Sequence, residues 1–245
     1  MKISIITPTM NSSETIASNI KSIHQQNFKN VEQIFVDGKS KDKTVDIIRN
    51  QKKDVDILVS EPDMGIYDAI NKGIEISSGE IIGVLNSDDI LCSNDVLFKI
   101  HESFLKNFDY VYGDIKYIDN NAKVVRTWKS GKFTQRMIDF GWMPPHPSLY
   151  IKKDVIKQIG LYNLEYSISS DFEYINRLFR EKELSYDYLD FCMVKMLVGG
   201  VSNKSLKSIL KKSQQDLTIL KQYSNYPLIA FLCKNFSKIL QFVKK

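Results

Sequence analysis

What this sequence lacks excludes several classes of protein. Its 245 residues include only three cysteines and three histidines, and neither set shows the spacing of a zinc site. No run approaches the roughly 18 to 20 apolar residues that a membrane-spanning helix needs. The first ten residues, MKISIITPTM, lack the apolar region of a signal peptide. An odd cysteine count argues against a disulfide framework, so a reducing cytoplasm is the simplest compartment.

Familiar nucleotide-binding and hydrolase motifs are absent as well. No G-x-G-x-x-G follows the first apolar run, which argues against a dinucleotide-dependent dehydrogenase, and there is no G-x-S-x-G. The run Gly38-Lys39-Ser40 imitates the end of a P-loop, but Gln33 stands where that motif needs glycine. We therefore reject a P-loop at this position.

Positive charge is concentrated at the end of the chain. The net charge is +5, but residues 202–245 hold nine lysines and one acid, Asp216, so the remaining 201 residues are slightly acidic. A nucleic-acid-binding protein would more often interleave basic and aromatic residues across its binding face. We expect no nucleic acid as a partner, and the basic tail points first to an anionic membrane surface.

The first 113 residues alternate between short apolar runs and stretches with helical spacing. Short buried strands that alternate with helices form βαβ units, so the pattern predicts an α/β fold with a mixed, mainly parallel sheet. The predicted strands are 3–6, 34–36, 57–59, 81–85 and 110–112, and the predicted helices are 14–26, 43–53, 66–77 and 94–106.

The next part of the chain is less regular. It predicts strands at 123–128 and 148–151 and helices at 154–159 and 170–181. Ser170 and Glu173 have the spacing of a capping box at the start of the last helix. Gly199–Gly200 then marks a break. The predicted organisation is a domain of residues 1–201, with halves 1–113 and 114–201, and a helical tail of residues 202–245.

The tail predicts two helices, the second opening at Pro227. The second is a basic amphipathic helix. Its apolar face is Leu228, Leu232, Phe236, Ile239, Leu240 and Val243, and its opposite stripe is Lys234, Lys238, Gln241 and Lys245. Such a helix can be a peripheral membrane anchor, or it can pack on the domain or against a second subunit in a homodimer. The sequence leaves these alternatives open.

Acidic residues follow three of the predicted strands. Asp37, Asp63 and the pair Asp88-Asp89 come directly after strands whose carboxyl ends should meet at one edge of the sheet. Carboxylates that crowd together repel one another unless a cation lies between them, and Mg²⁺ and Mn²⁺ prefer oxygen ligands. The sequence therefore predicts a Mn²⁺ or Mg²⁺ site here. The alternative is that Asp88 and Asp89 cap the following helix.

Four motifs in order, over about 90 residues, carry a resemblance to a known family. They are TPTMN at 7–11, DGKSKDKT at 37–44, DMGIYDAINKG at 63–73 and GEIIGVLNSDD at 79–89, and PHPS at 145–148 and SDFE at 170–173 extend them. Together they resemble family 2 glycosyltransferases with the GT-A fold, a Rossmann-like sheet flanked by helices. The branch that builds bacterial capsule, O-antigen and exopolysaccharide is the most similar.

The resemblance implies a role for each matching position. Thr7, Pro8, Thr9 and Asn11 would border the nucleotide, Asp37 would accept a hydrogen bond from the base, typically uracil, and Asp63 and Asp68 would line the donor cleft. Asp88 and Asp89 stand at the D-x-D-like metal motif, with Asp89 the direct ligand and Asp88 nearer the ribose. Lys39 departs from the family, which commonly has glycine or serine at that position.

Asp171 is implied to be the general base, since the reaction needs a carboxylate that removes the acceptor hydroxyl proton. The alternative is that Asp171 only complements the helix dipole. Lys72 could meet the diphosphate or be a solvated lysine. His146 could contact the metal or shape the acceptor cleft. Four further side chains are predicted to belong to the core: Ile66, Tyr67, Ile70 and Ile74.

The implied reaction is one inverting displacement. A sugar would move from a nucleotide-diphosphate donor, UDP-hexose or UDP-N-acetylhexosamine, to a hydroxyl of a growing surface glycan, itself attached to a polyprenyl diphosphate. One rival is a sugar-nucleotide nucleotidyltransferase, but residues 7–11 lack the glycine and arginine that its loop should carry. The other rival is a non-catalytic module that binds a nucleotide sugar or a membrane.

Overall fold

The computed structural model describes residues 1–198 and 206–243, with the backbone alone at 206 and 237–243. Several predictions lie outside these residues. They are the break at Gly199–Gly200, the boundary between 201 and 202, and Lys245. The assignment of a helix face to the side chains of Lys238, Ile239, Leu240, Gln241 and Val243 also lies outside the described residues.

The described residues form a nine-stranded mixed sheet flanked by helices. The strands are β1 (Ile3–Thr9), β2 (Val31–Asp37), β3 (Ile57–Ser60), β4 (Ile81–Val84), β5 (Ile90–Leu91), β6 (Tyr110–Ile118), β7 (Val124–Trp128), β8 (Tyr150–Lys152) and β9 (Tyr186–Leu197). The helices are α1 (Ile16–His24), α2 (Thr44–Gln51), α3 (Ile66–Ile76), α4 (Val96–Leu105), α5 (Gln135–Asp139), α6 (Lys153–Ile159), α7 (Ser170–Arg180), α8 (Leu206–Tyr223) and α9 (Pro227–Val243). The strand order is β3-β2-β1-β4-β8-β6-β9-β5, and β7 pairs with β6.

The strands of the first half are parallel, as the alternation of strands and helices predicted. β1 lies between β2 and β4 and is parallel to both, and β3 continues the parallel pairing beyond β2. All seven residues of β1 are buried, because helices cover both faces of the sheet at its centre. The carboxyl ends of these strands consequently lie at one edge.

Three elements were not predicted: β5 in the first half, and α5 and β9 in the second. β9 is the longest strand, with 12 residues, and it joins β6 to β5. Most of it is only partly buried, and acidic residues interrupt its apolar run, so the two-residue period that marks a strand is weak. β5 has two residues and is too short for any period to show.

The expectation about cysteines was wrong. Cys92 and Cys192 form a disulfide, with Cα atoms 6.1 Å apart, and Cys233 is free and exposed. The cause is the antiparallel pairing of β5 with β9, in which the Cys92 N–H donates to the Met193 carbonyl at 2.9 Å. An odd cysteine count prevents the pairing of all three residues but not of two.

The predicted capping box at the start of α7 is also wrong. Ser169 precedes the helix, and the structure shows no side-chain cap there. The Ser170 hydroxyl donates instead to the Asn163 carbonyl at 2.7 Å, and Glu173 pairs with Arg177 at 2.7 Å. Asp171 nevertheless lies in the first helical turn, as expected.

The tail helices α8 and α9 pack on the domain, α8 against α7 and α9 against β7. Ala230 of α9 is buried in one apolar cluster with Phe172 of α7. The Gln215 Oε1 atom accepts the N–H groups of Ile168 and Ser169, at 3.0 and 3.1 Å. Of the alternatives for the tail, the structure therefore shows contact with the domain.

Lys234 shows which side of α9 meets the domain. It was predicted to lie on the basic stripe opposite the apolar face, and it is only 4% exposed. Its Nζ lies 2.8 Å from Asp216 of α8 and 3.1 Å from the centre of the Phe172 ring. Helical periodicity groups residues on one face but does not say which face meets the domain, and here the lysine side does.

Within residues 1–198 and 206–243, no helix combines the length and the apolarity needed to cross a membrane.

Asp216 should be important for stability. Burial opposes its ionisation, but the charges of Lys234 and Lys212 outweigh burial and lower the pKa of Asp216 to about 2. Asp216→Asn leaves Lys234 buried without its carboxylate, so we expect the free energy of unfolding in urea at neutral pH to fall by about 3 to 5 kcal/mol. The exposed control, Asp54→Asn, should change it by less than about 0.5 kcal/mol.

The loss of unfolding free energy in Asp216→Asn should depend on pH. A depressed carboxyl pKa contributes stability above the unfolded-state value, about 4, and that contribution disappears as the pH falls through the folded-state value, about 2. The difference between the native protein and Asp216→Asn should therefore shrink over this interval. A difference that is small at neutral pH, or constant down to pH 2, would contradict the assignment.

Candidate active site

The loops after β1, β2 and β4 meet at one edge of the sheet. Thr9 and Asp37 are partners in the parallel register of β1 and β2, and the Thr9 hydroxyl donates to Asp37 at 3.3 Å. The hydroxyls of Ser12, after β1, and Ser87, after β4, are 2.8 Å apart. The structure thus brings the predicted donor loops together.

The side chains in β1 and in the loop after it differ in burial. Thr7 and Pro8 are buried, and the Thr7 hydroxyl accepts a hydrogen bond from Gln33 Nε2 at 2.9 Å. Asn11 is exposed, in a left-handed conformation, and its Oδ1 accepts the Lys41 N–H at 2.9 Å. The predicted contact of Thr7 and Pro8 with a nucleotide stays a prediction, and it would involve backbone groups.

Asp37 is fully buried and surrounded by donors. Its Oδ2 accepts the Ser40 N–H at 3.0 Å and the Ser60 hydroxyl at 2.7 Å, while Oδ1 accepts the hydroxyls of Ser40 and Thr9. A carboxylate has about four acceptor positions. The network therefore fixes the carboxylate in one orientation, and its role toward the base stays a prediction.

The DGKSKDKT segment shapes the loop around Asp37. The Asp42 carboxylate accepts the Thr44 N–H at 3.0 Å and the Ser13 N–H at 3.1 Å. Burial would raise the pKa of Asp42, but the hydrogen bonds from Thr44 and Ser13 outweigh it and hold that pKa below the usual value. Lys39 has φ +66°, a region that favours glycine, which explains why glycine suits this position.

Asp63 lies in the turn between β3 and α3, and Asp68 lies in the first turn of α3. Asp63 Oδ1 accepts the Gly65 N–H at 2.9 Å, and Asp68 Oδ2 accepts the Met64 N–H at 3.0 Å. A Cβ atom at Gly38 would lie 2.6 Å from Asp63 Oδ2, so only glycine allows this approach. The two acids border the same loop cluster as Asp37.

Lys72 is tied to this turn. Its Nζ lies 2.8 Å from Glu61 Oε1, 3.1 Å from the Pro62 carbonyl oxygen and 3.4 Å from Asp68 Oδ2. The hydrogen bond to Glu61 is the main cause that raises the pKa of Lys72. Any contact with a diphosphate stays a prediction and would compete with these partners.

Asp88 and Asp89 form the turn between β4 and β5. Asp88 is half-buried, whereas Asp89 is 1% exposed and accepts a hydrogen bond from Asn86 Nδ2 at 3.0 Å. Burial raises the pKa of Asp89 well above its usual value, the Asp88 charge adds to the rise, and hydrogen bonds from Asn86 and the Leu197 backbone oppose it. Burial and the neighbouring carboxylate thus both disfavour the ionised form of Asp89.

Asp171 contacts the donor half through Tyr67 of α3. The Tyr67 hydroxyl lies 2.7 Å from the Ile168 carbonyl oxygen and 3.2 Å from Asp171 Oδ1, where it can donate to either. Burial, and then the Asp171 charge, raise the pKa of Tyr67 well above its usual value. Tyr67 is therefore a protonated donor aimed at the predicted base.

A second α3 residue, Asn71, holds the loop that leads to Asp171. Its side chain exchanges two hydrogen bonds, both 2.9 Å, with the backbone of Tyr162. The Tyr162 ring stacks on Tyr67, with centroids 5.8 Å apart, and its hydroxyl is 2.7 Å from His146 Nε2. His146 thus supports Tyr162.

Burial lowers the pKa of His146, and the Asp171 charge partly opposes this shift. The contact of His146 with a metal ion stays a prediction. Among the described residues, no group of three or more histidine, cysteine, aspartate or glutamate side chains is arranged to hold a metal ion.

The charges of two predicted site residues affect the pKa of Tyr117 in β6. Burial raises its pKa, Arg126 opposes the rise, and the charges of Asp89 and Asp171 both add to it. Both carboxylates therefore lie within electrostatic range of one phenol.

Sequence reasoning assigned Tyr67 to the core and did not single out Asn71. Ile70 and Ile74 are indeed buried, whereas Ile66 is exposed, so its core assignment was wrong. The available signal was that Tyr67 and Asn71 are polar groups four residues apart on an apolar helix face. Buried polar groups need partners, and here the partners are the backbone of Tyr162 and Ile168 and the carboxylate of Asp171.

A family model described as glycosyl transferase family 2 matches residues 4–160. The chain belongs to this family. Membership favours glycosyl transfer over the rival reaction of a nucleotidyltransferase.

Curated relatives agree with this membership. A PGL/p-HBAD biosynthesis glycosyltransferase of Mycobacterium bovis is 29% identical over 217 residues, which cover 85% of this chain and 82% of the relative. The Escherichia coli enzyme UDP-Glc:alpha-D-GlcNAc-diphosphoundecaprenol beta-1,3-glucosyltransferase WfgD is 31% identical over 123 residues, about half of each chain.

Solved structures show the GT-A fold. TarS of S. aureus in complex with UDP-GlcNAc has a TM-score of 0.72 and 18% identity, over 97% of this chain and 73% of that one. The mannosyltransferase PcManGT of Pyrobaculum calidifontis, in complex with GDP-Man and Mn²⁺, has a TM-score of 0.66 and 13% identity, over 96% of this chain and 68% of that one.

The Tyr67 hydroxyl should assist turnover. Tyr67→Phe removes a hydrogen bond to a charged group, so we expect kcat to fall by about tenfold to a hundredfold while the donor KM stays unchanged. The matched control is Tyr174→Phe, since the buried Tyr174 hydroxyl has no hydrogen-bond partner within the described part of the chain. Equal kcat values for the two variants in a UDP-release assay would show that Tyr67 has no role beyond packing.

Proposed function

We propose that this protein is an inverting, metal-dependent glycosyltransferase. It transfers a hexose or N-acetylhexosamine from a UDP-activated donor to a hydroxyl of a lipid-linked, growing surface glycan. The observation that carries the proposal is the meeting of the loops after β1, β2 and β4 at one edge of the sheet, with Asp171 in hydrogen-bond contact with Tyr67 of α3. A donor held by these loops and an acceptor deprotonated by Asp171 could then meet.

The residues present fit a divalent cation. Asp88 and Asp89 are adjacent carboxylates, and the pKa of Asp89 is raised by its burial and then by the Asp88 charge, so a nearby cation would favour its ionised form. Mg²⁺ and Mn²⁺ accept one or two carboxylates together with substrate phosphates. Asp89, and secondarily Asp88, would hold the ion. His146 is the weaker candidate, because its Nε2 is already 2.7 Å from Tyr162.

The remaining chemistry belongs to the protein's own side chains. Asp171 lies in the first turn of α7, where the positive end of the helix favours its anionic form. It accepts the acceptor hydroxyl proton as that oxygen attacks the anomeric carbon. Tyr67 orients Asp171, and the Asp37 network fixes the nucleotide loop, so both reactants are held in line. One displacement inverts the anomeric configuration.

A bound cation would neutralise negative charge on the leaving nucleoside diphosphate.

The donor and acceptor classes rest on relatives. WfgD takes UDP-Glc and a diphosphoundecaprenol-linked GlcNAc, and TarS binds UDP-GlcNAc. The similarity to WfgD supports the O-antigen branch and an acceptor that is embedded in a membrane. An enzyme with such an acceptor works at the membrane surface, which supports a peripheral location on the inner face of the cytoplasmic membrane.

Asp171→Asn tests the base. The variant keeps its size but cannot accept the proton, so we expect kcat to fall by about 10²- to 10⁴-fold. UDP affinity should not change, because Asp171 lies outside the donor loops. Glu165→Gln, an exposed acid in the preceding loop, is the matched control and should keep full turnover. Undiminished turnover by Asp171→Asn would refute the base assignment.

Metal removal tests the acidic pair. We expect excess EDTA to abolish UDP release from a panel of UDP-sugars and added Mn²⁺ or Mg²⁺ to restore it. Asp89→Asn should require a higher metal concentration for half-maximal activity, because it removes the direct ligand. Full activity in EDTA would exclude the metal role. A product with retained anomeric configuration, observed by NMR, would exclude the single displacement.

A further inference from the structure

The outer face of α9 is apolar. Leu228, Leu232 and Phe236 lie four residues apart along the helix and are 65%, 54% and 62% exposed, and Ile229 is also exposed beside them. Monomeric proteins rarely leave a continuous apolar stripe in water, since each Å² costs about 25 cal/mol. These four side chains are called the outer ridge below.

The inner face of α9 is fixed to the domain by a polar contact. Ala230 and Lys234 are buried on the side opposite the outer ridge, and Lys234 pairs with Asp216 at 2.8 Å. Rotating the helix to hide the outer ridge would expose Ala230 and break this pair. The buried ion pair therefore sets which side of α9 faces outward.

The sequence of the tail is strongly basic. Residues 202–245 contain nine lysines, and Asp216 is their single acid, already in contact with Lys212 and Lys234. Because α8 and α9 form a hairpin in which Lys212 and Lys234 meet Asp216, the start of α8 lies near the end of α9. Exposed Leu210 and the exposed lysines Lys207 and Lys211 are at that end.

We propose that the outer ridge and the lysines at the start of α8 dock on an anionic lipid surface. Apolar side chains would enter the interface while the lysines meet the headgroups, as in other interfacial amphipathic helices. A second copy of this chain is disfavoured as occupant, because it would bring an equally basic face. The proposal rests on the proposed function, since it supplies the contact with the membrane that holds the acceptor.

The hairpin of α8 and α9 also contacts the segment that contains Asp171, the proposed base. On its inner side, Gln215 accepts the N–H groups of Ile168 and Ser169, two residues that precede Asp171. Lys234 lies against Phe172, the next residue after Asp171. Docking would therefore fix the orientation of α7, and so of Asp171, relative to the lipid surface.

Co-sedimentation of the full chain with vesicles tests the proposal. We expect binding to phosphatidylcholine vesicles that contain phosphatidylglycerol, and much weaker binding to phosphatidylcholine alone or in high salt. Leu232→Gln with Phe236→Gln should lower the partition coefficient by about a hundredfold, because two apolar side chains lose their burial. Leu105→Gln, at an equally exposed leucine on α4, is the matched control and should bind normally.

A second pair of variants keeps the test valid if the apolar double variant melts below the native protein. Lys207→Gln and Lys211→Gln should each lower binding to the anionic vesicles by about fivefold. Lys53→Gln, at an exposed lysine just after α2, should not change it. UDP release from a UDP-sugar without vesicles reports the proposed activity separately, and it should be unchanged in all five variants.

Three results would overturn the docking surface. One is native protein that binds anionic vesicles no better than neutral ones. Another is equal binding by the native protein and both sets of variants. The third is a dimer in sedimentation velocity that the apolar double variant dissociates, since the outer ridge would then meet a second copy. If the native protein binds vesicles as expected but releases no UDP from any UDP-sugar, the result would instead contradict the proposed function alone.

Discussion

The carboxylate of Asp89 is buried beside a second carboxylate, Asp88, and much of the donor edge is arranged to hold it there. A buried charge is costly unless it has partners. Asn86 and the Leu197 backbone supply hydrogen bonds, and Asn19 fixes the turn by donating to the carbonyls of Asn86 and Asp89. These partners position the charge without neutralising it. A cation and the diphosphate it binds would complete the site.

The two halves of the domain are joined by buried polar groups as well as by the sheet. Tyr67 and Asn71 extend from the donor half to Asp171 and to the loop before it, and Gln215 holds the same segment from the tail. Asp171 is thus positioned from two sides, by α3 and by the hairpin of α8 and α9, whose outer face is apolar.

The sequence predicted the first half of the fold well, because β-branched runs and helical spacing directly reflect a buried parallel sheet. The acidic residues at the strand ends could be predicted from the same geometry. Other features depend on which elements become neighbours. The Cys92–Cys192 pair required β5 to meet β9, the inward Lys234 required α9 to pack by its basic side, and the contact of Tyr67 with Asp171 joins residues 104 positions apart. Local periodicity carries no information on such contacts.

A crystal structure with a UDP-sugar and Mn²⁺ bound tests the proposed site most directly. We expect Mn²⁺ at about 2.0 to 2.3 Å from an oxygen of Asp89 or Asp88 and from the diphosphate. The anomeric carbon should lie in the space between Asp89 and Asp171, beside Tyr117. A nucleotide bound away from the loops after β1, β2 and β4, or a sugar whose anomeric carbon faces away from Asp171, would contradict it.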